Sequence, residues 1–162
     1  MKSMTIIAVS QWVWIGAILC TSHVGALSQQ QQLDKNRAKW KSFMGNKITS
    51  GYAMKYTHAG FLPPEYRGPF LVIVDSTGEL ASACYLEGSE TAGEYVDEPR
   101  TMLLLTVEDA FNLIQSALNQ GVDVFNVVYD KVAGFPSEVF IDWSVAIQDE
   151  ETSFTIGSLF RV

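Results

Sequence analysis

Residues 122–130 and 138–147 are two apolar runs of strand length, divided by Lys-Val-Ala-Gly-Phe-Pro-Ser. The stretch reads as a strand-turn-strand unit, with Gly134 and Pro136 as the structural reasons for the turn, and the two runs are expected to fold back on each other as a hairpin. Counting by two from Val139 puts Ile141, Trp143, Val145 and Ile147 on one face and Glu138, Phe140, Asp142, Ser144 and Ala146 on the other. Asp130 and Asp142 flank the turn. Gly134 supplies an unusual backbone angle, and Pro136 holds Phe135 extended. On one reading Asp130 accepts backbone N–H groups of the turn, and Asp142 points away from the core. On the other, the two carboxylates meet across the ladder, where one pKa rises or a hard cation such as calcium binds. No D-x-[DN]-x-[DN]-G loop supports the metal form.

The rest of the chain extends the same pattern. Residues 52–59 alternate, with Tyr52, Met54 and Tyr56 on one side; 70–75 are apolar throughout; 80–86 follow a Ser-Thr-Gly turn; 152–160 close the chain. Leu33, Asn36, Trp40, Phe43 and Met44 share one face of a helix stopped at Gly45-Asn46. Thr106 caps a second helix whose Val107, Ala110, Phe111, Ile114 and Leu118 follow helical spacing up to Gly121. The order is helix and three strands, twice. It predicts an α+β domain: an antiparallel sheet of about six strands with two helices packed on one face, and an α-β-β-β pseudo-repeat. Strand 70–75 is expected to pair with 80–86, and 123–130 with 138–147. The loops 60–69, 87–98 and 148–151 join these elements.

The N-terminus reads as a secretory signal over 1–28. Lys2 precedes an apolar run to Cys20, and cleavage sites follow Ala26 and Ser28. Residues 29–35, beginning with four glutamines, read as a linker, and 36–162 as one domain. An uncleaved span over 4–27 is the other reading; after cleavage no membrane span is expected. Residues 1–60 hold seven of the eleven bases and one of the eighteen acids, so the body that follows is strongly acidic. A net charge of −7 argues against nucleic acid as a partner. The location expected is secreted or extracytoplasmic, or, with 33–55 as a transit segment, the plastid of a complex alga.

Arg37-x-x-Trp40, Tyr52-x-x-x-Tyr56, Tyr129-Asp130-x-x-x-Gly134-Phe135-Pro136-x-x-Val139-x-Ile141-Asp142 and Asp149-Glu150-Glu151 together resemble a family of exported domains of unknown function, number six-one-seven-four in that series. The resemblance covers about residues 36–160. It implies a small exported α+β domain, common in bacterial envelope proteins and lipoproteins, and implies no reaction. Leu19 before Cys20 departs from a lipoprotein signal.

Loss of Cys20 with the signal leaves Cys84 as a free thiol, either a core residue or a reactive one. A Cys84–His58 dyad requires strands 52–59 and 80–86 to be neighbours. The chain has no Walker loop, G-x-G-x-x-G, H-E-x-x-H or G-x-S-x-G, so no cofactor is implied. The remaining class is binding, of a protein or small-molecule ligand. Tyr52 and Tyr56 beside the 58–66 loop form a candidate interface, unless they pack beneath the first helix through Trp40. The residues singled out are Asp130, Asp142, Tyr52, Tyr56, Gly134, Phe135 and Pro136. The function expected is a non-enzymatic interaction module; the alternative is a small cation-dependent or acid/base hydrolase using Asp130 and Asp142.

Overall fold

The computed structural model describes residues 27–45, 51–60, 62–86, 92–97, 100–122, 124–144, 146 and 151–162. Residues 1–26 (most of the expected signal), half of the 87–98 loop, Val145, Ile147 and the 148–150 part of the acidic loop lie outside the described residues. In chain order the elements are α1 (Gln29–Met44), β1 (Tyr52–Ala59), the single turn α2 (Pro64–Arg67), β2 (Phe70–Val74), β3 (Leu80–Tyr85), a 3₁₀ turn (Arg100–Leu103), α3 (Val107–Gln120), β4 (Val124–Tyr129), β5 (Pro136–Asp142) and β6 (Glu151–Arg161). The six strands form one antiparallel sheet in the order β3-β2-β1-β6-β5-β4. Each half is a helix followed by a three-stranded meander, and the halves join where β1 pairs with β6.

The two expected hairpins form. Phe70 faces Tyr85 in β2–β3, and Val127 faces Val139 in β4–β5. Both long helices lie on one face of the sheet, and the core fills the space between. Met54, Tyr56, Val72, Ile141, Phe154 and Ile156 come from the strands; Leu33, Trp40, Phe111 and Ile114 come from the helices. The period-2 strands and period-3.6 helices thus converge on one apolar layer.

Helix starts and stops follow local chemistry. Thr106 caps α3, its hydroxyl accepting the Asp109 N–H while Asp109 accepts the Thr106 N–H. Gly121 closes that helix in the left-handed conformation at φ 65°. α1 begins earlier than its apolar pattern predicts. Glutamines 29–32 form its first turn rather than a linker, because Ser28 and Gln31 build a reciprocal capping box. β5 ends at Asp142, five residues short of the expected end. Among the described residues, no helix is long and apolar enough to cross a membrane.

Candidate functional site

The Asp130–Pro136 turn determines how α1 sits. Asp130 Oδ1 accepts the N–H groups of Val132 at 2.9 Å and Ala133 at 2.6 Å. The Asp130 N–H donates to the Phe135 carbonyl at 2.8 Å, and the Gly134 N–H to the Asp130 carbonyl at 3.0 Å. The turn consumes that carboxylate, as one reading of the sequence expects. Gly134 has φ +83°, and a Cβ there would lie 2.7 Å from the Asn36 carbonyl oxygen and 2.9 Å from the Lys39 Cβ. Only glycine permits both the backbone angle and this approach to α1. Lys39 Nζ donates to the Lys131 carbonyl from the other side.

Phe135 and Trp40 then meet edge to face, ring centroids 6.2 Å apart, and Trp40 meets Tyr52 in the same way at 5.4 Å. The Tyr52 hydroxyl oxygen accepts the Val107 N–H at 2.9 Å, the first orphan donor of α3. Burial outweighs that hydrogen bond and pushes the Tyr52 pKa up to about 12. Arg37 closes the circuit. Its guanidinium lies 2.7 Å from Glu108, 2.8 Å from Asn112, and over the Phe111 ring. Tyr52 and Tyr56, candidates for an interface, are therefore core residues at 5% and 0% exposure. Arg37, Trp40, Tyr52, Asp130, Gly134 and Phe135, six of the residues that suggested a family, form a strut, turn to α1 to β1 to α3.

The two aspartates are not brought together. Asp142 pairs with Val124 and Glu151 at the far end of β5, while Tyr129, next to Asp130, pairs with Pro136 at its start. Six residue steps of strand separate these ends, about 20 Å, so one ion cannot bridge them. The Asp142 carboxylate accepts the Ser144 N–H at 3.1 Å, capping a turn of its own. Among the described residues, no group of three His, Cys, Asp or Glu is placed to hold a metal.

Cys84 and His58 are also apart. β2 separates their strands. Cys84 aligns through Leu71 with Lys55, on the face away from the helices, whereas His58 shares the core-side alternation of Tyr56. The His58 ring meets Tyr56 edge to face at 4.9 Å, above a hollow of about 240 Å³ bounded by Leu62, Leu103 and Thr152. Burial lowers the His58 pKa, opposed by a hydrogen bond to the Leu103 backbone. Its Nε2 and the Tyr56 hydroxyl are buried without a hydrogen-bond partner. A second hollow, about 440 Å³, lies between the end of α1, the β2–β3 turn and the start of α3, with Trp40 and Tyr52 in its wall and Lys41, Asp75 and Glu108 around it.

The feature that the sequence did not point to is the outer side of β4. This strand ends the sheet, and α1 runs beside it. Two adjoining hollows of about 140 and 510 Å³ share Gln32, Val127 and Tyr129. Together they form one groove with β4 along one wall and α1 along the other. Burial and the nearby Asp34 charge raise the Tyr129 pKa to about 12. The sequence signal was available: Val-Phe-Asn-Val-Val-Tyr has neither a charge nor a proline, the usual protections of a sheet edge.

No curated protein and no solved structure matches the chain significantly. A family model does, over residues 32–160, and those limits take in all the sheet strands but the last residue of β6, most of α1 and the whole strut. The chain belongs to the family of unknown function DUF6174.

Proposed function

We propose that the protein is an exported, non-enzymatic interaction module. The observation that carries this reading is the β4–α1 groove, an open, uncharged strand edge flanked by a helix, a form that extended partners use. The hydrolase alternative asks Asp130 and Asp142 to act together, and their places at opposite ends of β5 favour the interaction reading over it. Export is supported by the sequence before residue 27 and by the position of Ser28. The Ser28 capping box that begins α1 stands two residues after Ala26, the first of the two expected cleavage positions.

The test is photo-crosslinking in the cells that make the protein. A photoreactive residue is placed in turn at the β4 edge, at the α1–α3 hollow and on the free sheet face, and the tagged chain is followed by fractionation and N-terminal sequencing. The expected result is cleavage after Ala26, an extracytoplasmic fraction, and a discrete adduct from at least one surface. A chain retained in the cytosol, or one giving no adduct from any surface, would overturn the proposal.

A further inference from the structure

The two edges of the sheet are treated differently by the chain itself. Beyond β3, residues 93–96 act as a makeshift outer strand. The Tyr85 N–H donates to the Glu94 carbonyl at 3.0 Å, the Val96 N–H to Ala83 at 2.9 Å, and the Gly93 N–H to Tyr85 at 2.8 Å. That edge is covered. β4 has no neighbouring strand on its outer side among the described residues. Its backbone orientation follows from two contacts: the Val128 carbonyl accepts the Ser137 hydroxyl of β5, and the 124–128 register is unbroken. Val128 therefore faces β5, and by alternation the N–H and C=O groups of Phe125 and Val127 face outward.

The groove also has a charge sense. Its 127–131 end is lined by Lys35, Lys39 and Lys131. The carboxylates nearby are Asp130, whose Oδ1 is held by two turn N–H groups, and Asp34, which accepts from Gln30. Three lysines thus gather at one end of an unpaired strand in a chain whose net charge is −7. Strand addition supplies backbone hydrogen bonds without regard to sequence, and the lysines supply the selection.

We infer that the β4–α1 groove binds an extended peptide that adds as a seventh strand to β4 and places carboxylates against Lys35, Lys39 and Lys131. The inference rests on the interaction-module reading and specifies its partner. A second copy of the chain is the other occupant that an open edge invites, but it would bring a further net charge of −7 as a whole.

The experiment uses the chain from Leu27 to Val162 and acetylated hexapeptides of alternating Thr and Val. One form ends in two glutamates with an amidated C-terminus, one ends in two lysines, and one has no acidic side chain but a free C-terminal carboxylate. A fourth repeats the glutamate form with alternate backbone nitrogens methylated. Amide NMR shifts report the site and fluorescence anisotropy the affinity. The glutamate peptide is expected to shift the Phe125 and Val127 amides, and the lysine and methylated forms to bind at least about fivefold more weakly, as lost ion pairs and lost hydrogen bonds require. K35E with K131E, both at exposed positions, is expected to reverse the preference between glutamate and lysine forms. The carboxylate-terminated form binding alone would assign the lysines to a chain terminus; the amidated glutamate form binding would assign them to side chains. Equal binding of all forms, shifts confined to other residues, or a concentration-dependent dimer that occupies Val127 would each overturn the inference. A crosslinked partner at another surface would sink it too while leaving the interaction-module reading intact.

Discussion

Replacing Gly134 with alanine tests the strut directly. Two costs add. Holding a residue with a Cβ at φ +83° costs about 1–2 kcal/mol, and removing glycine's freedom from the unfolded chain returns roughly 0.4–1 kcal/mol. The new methyl would also sit 2.7 Å from the Asn36 carbonyl oxygen and 2.9 Å from the Lys39 Cβ. Neither can swing aside as a side-chain tip would, so α1 must retreat or the turn must distort. Overpacking of this kind costs about 1–3 kcal/mol. The sum is about 1–4.5 kcal/mol, centred near 3. Gly78 is the internal control, with φ +91° and nothing within 4 Å of the built Cβ. G78A is expected to cost about 1 kcal/mol, the conformational part alone. Urea unfolding followed by tryptophan fluorescence reads both variants, because Trp40 lies in the contact that would loosen. The difference between the variants is the steric cost of bringing the turn against α1. If G134A were no worse than G78A, the close approach would not be holding the helix, and the strut reading would be wrong.

The pH dependence should carry the mark of His58. Its folded pKa lies below the ordinary value of 6.5, so the unfolded chain binds the proton more readily. Stability is therefore full above about 6.5 and declines as pH falls toward the folded pKa. Melting curves between pH 7.5 and 5 should show this loss, and H58F should flatten it; an equal slope in the variant would refute the assignment. The two aspartates should differ. D130A removes the acceptor of two turn N–H groups and should cost about 1–3 kcal/mol, whereas D142A loses one such bond and should cost under about 1 kcal/mol. Millimolar calcium should move the urea midpoint of neither variant nor of the parent, and a calcium-dependent shift lost in both would restore the shared site. Finally, S28A should cost about 1 kcal/mol in a chain that begins at Leu27, read by thermal unfolding. No effect would place the functional start of α1 beyond the capping box.

Much of this architecture was legible because short-range rules decided it. Thr106 and Gly121 bounded α3, alternation or a short apolar run between turn signals identified the strands, and turn chemistry paired β2 with β3 and β4 with β5. Asp130 as a turn acceptor followed from its place before a glycine turn. Long-range facts were not legible. Nothing local says that β1 and β6 meet at the centre of the sheet, and that meeting is what leaves β4 at an edge. Tyr52 suggested an interface because its strand precedes a loop rich in Pro and aromatics. It is buried because its hydroxyl finds the first N–H of a helix 55 residues away. The first turn of α1 was missed for a different reason: apolar periodicity begins at Leu33, while the cap that starts the helix is polar.

The same separation bears on what belonging to this family says about function. Arg37, Trp40, Tyr52, Asp130, Gly134 and Phe135 fasten the β4–β5 turn, α1, β1 and α3 to one another, each by a contact that explains its residue type. A motif made of fastenings identifies a fold and leaves its ligand open. The groove depends on that fastening and shares Asp130 and Lys39 with it. Were α1 not held against the 130–136 turn, Lys35 and Lys39 would not lie along β4. G134A should therefore weaken peptide binding as well as stability, whereas G78A should affect stability alone. Equal binding by both variants at a temperature where both are folded would show that the helix forms no wall of the groove.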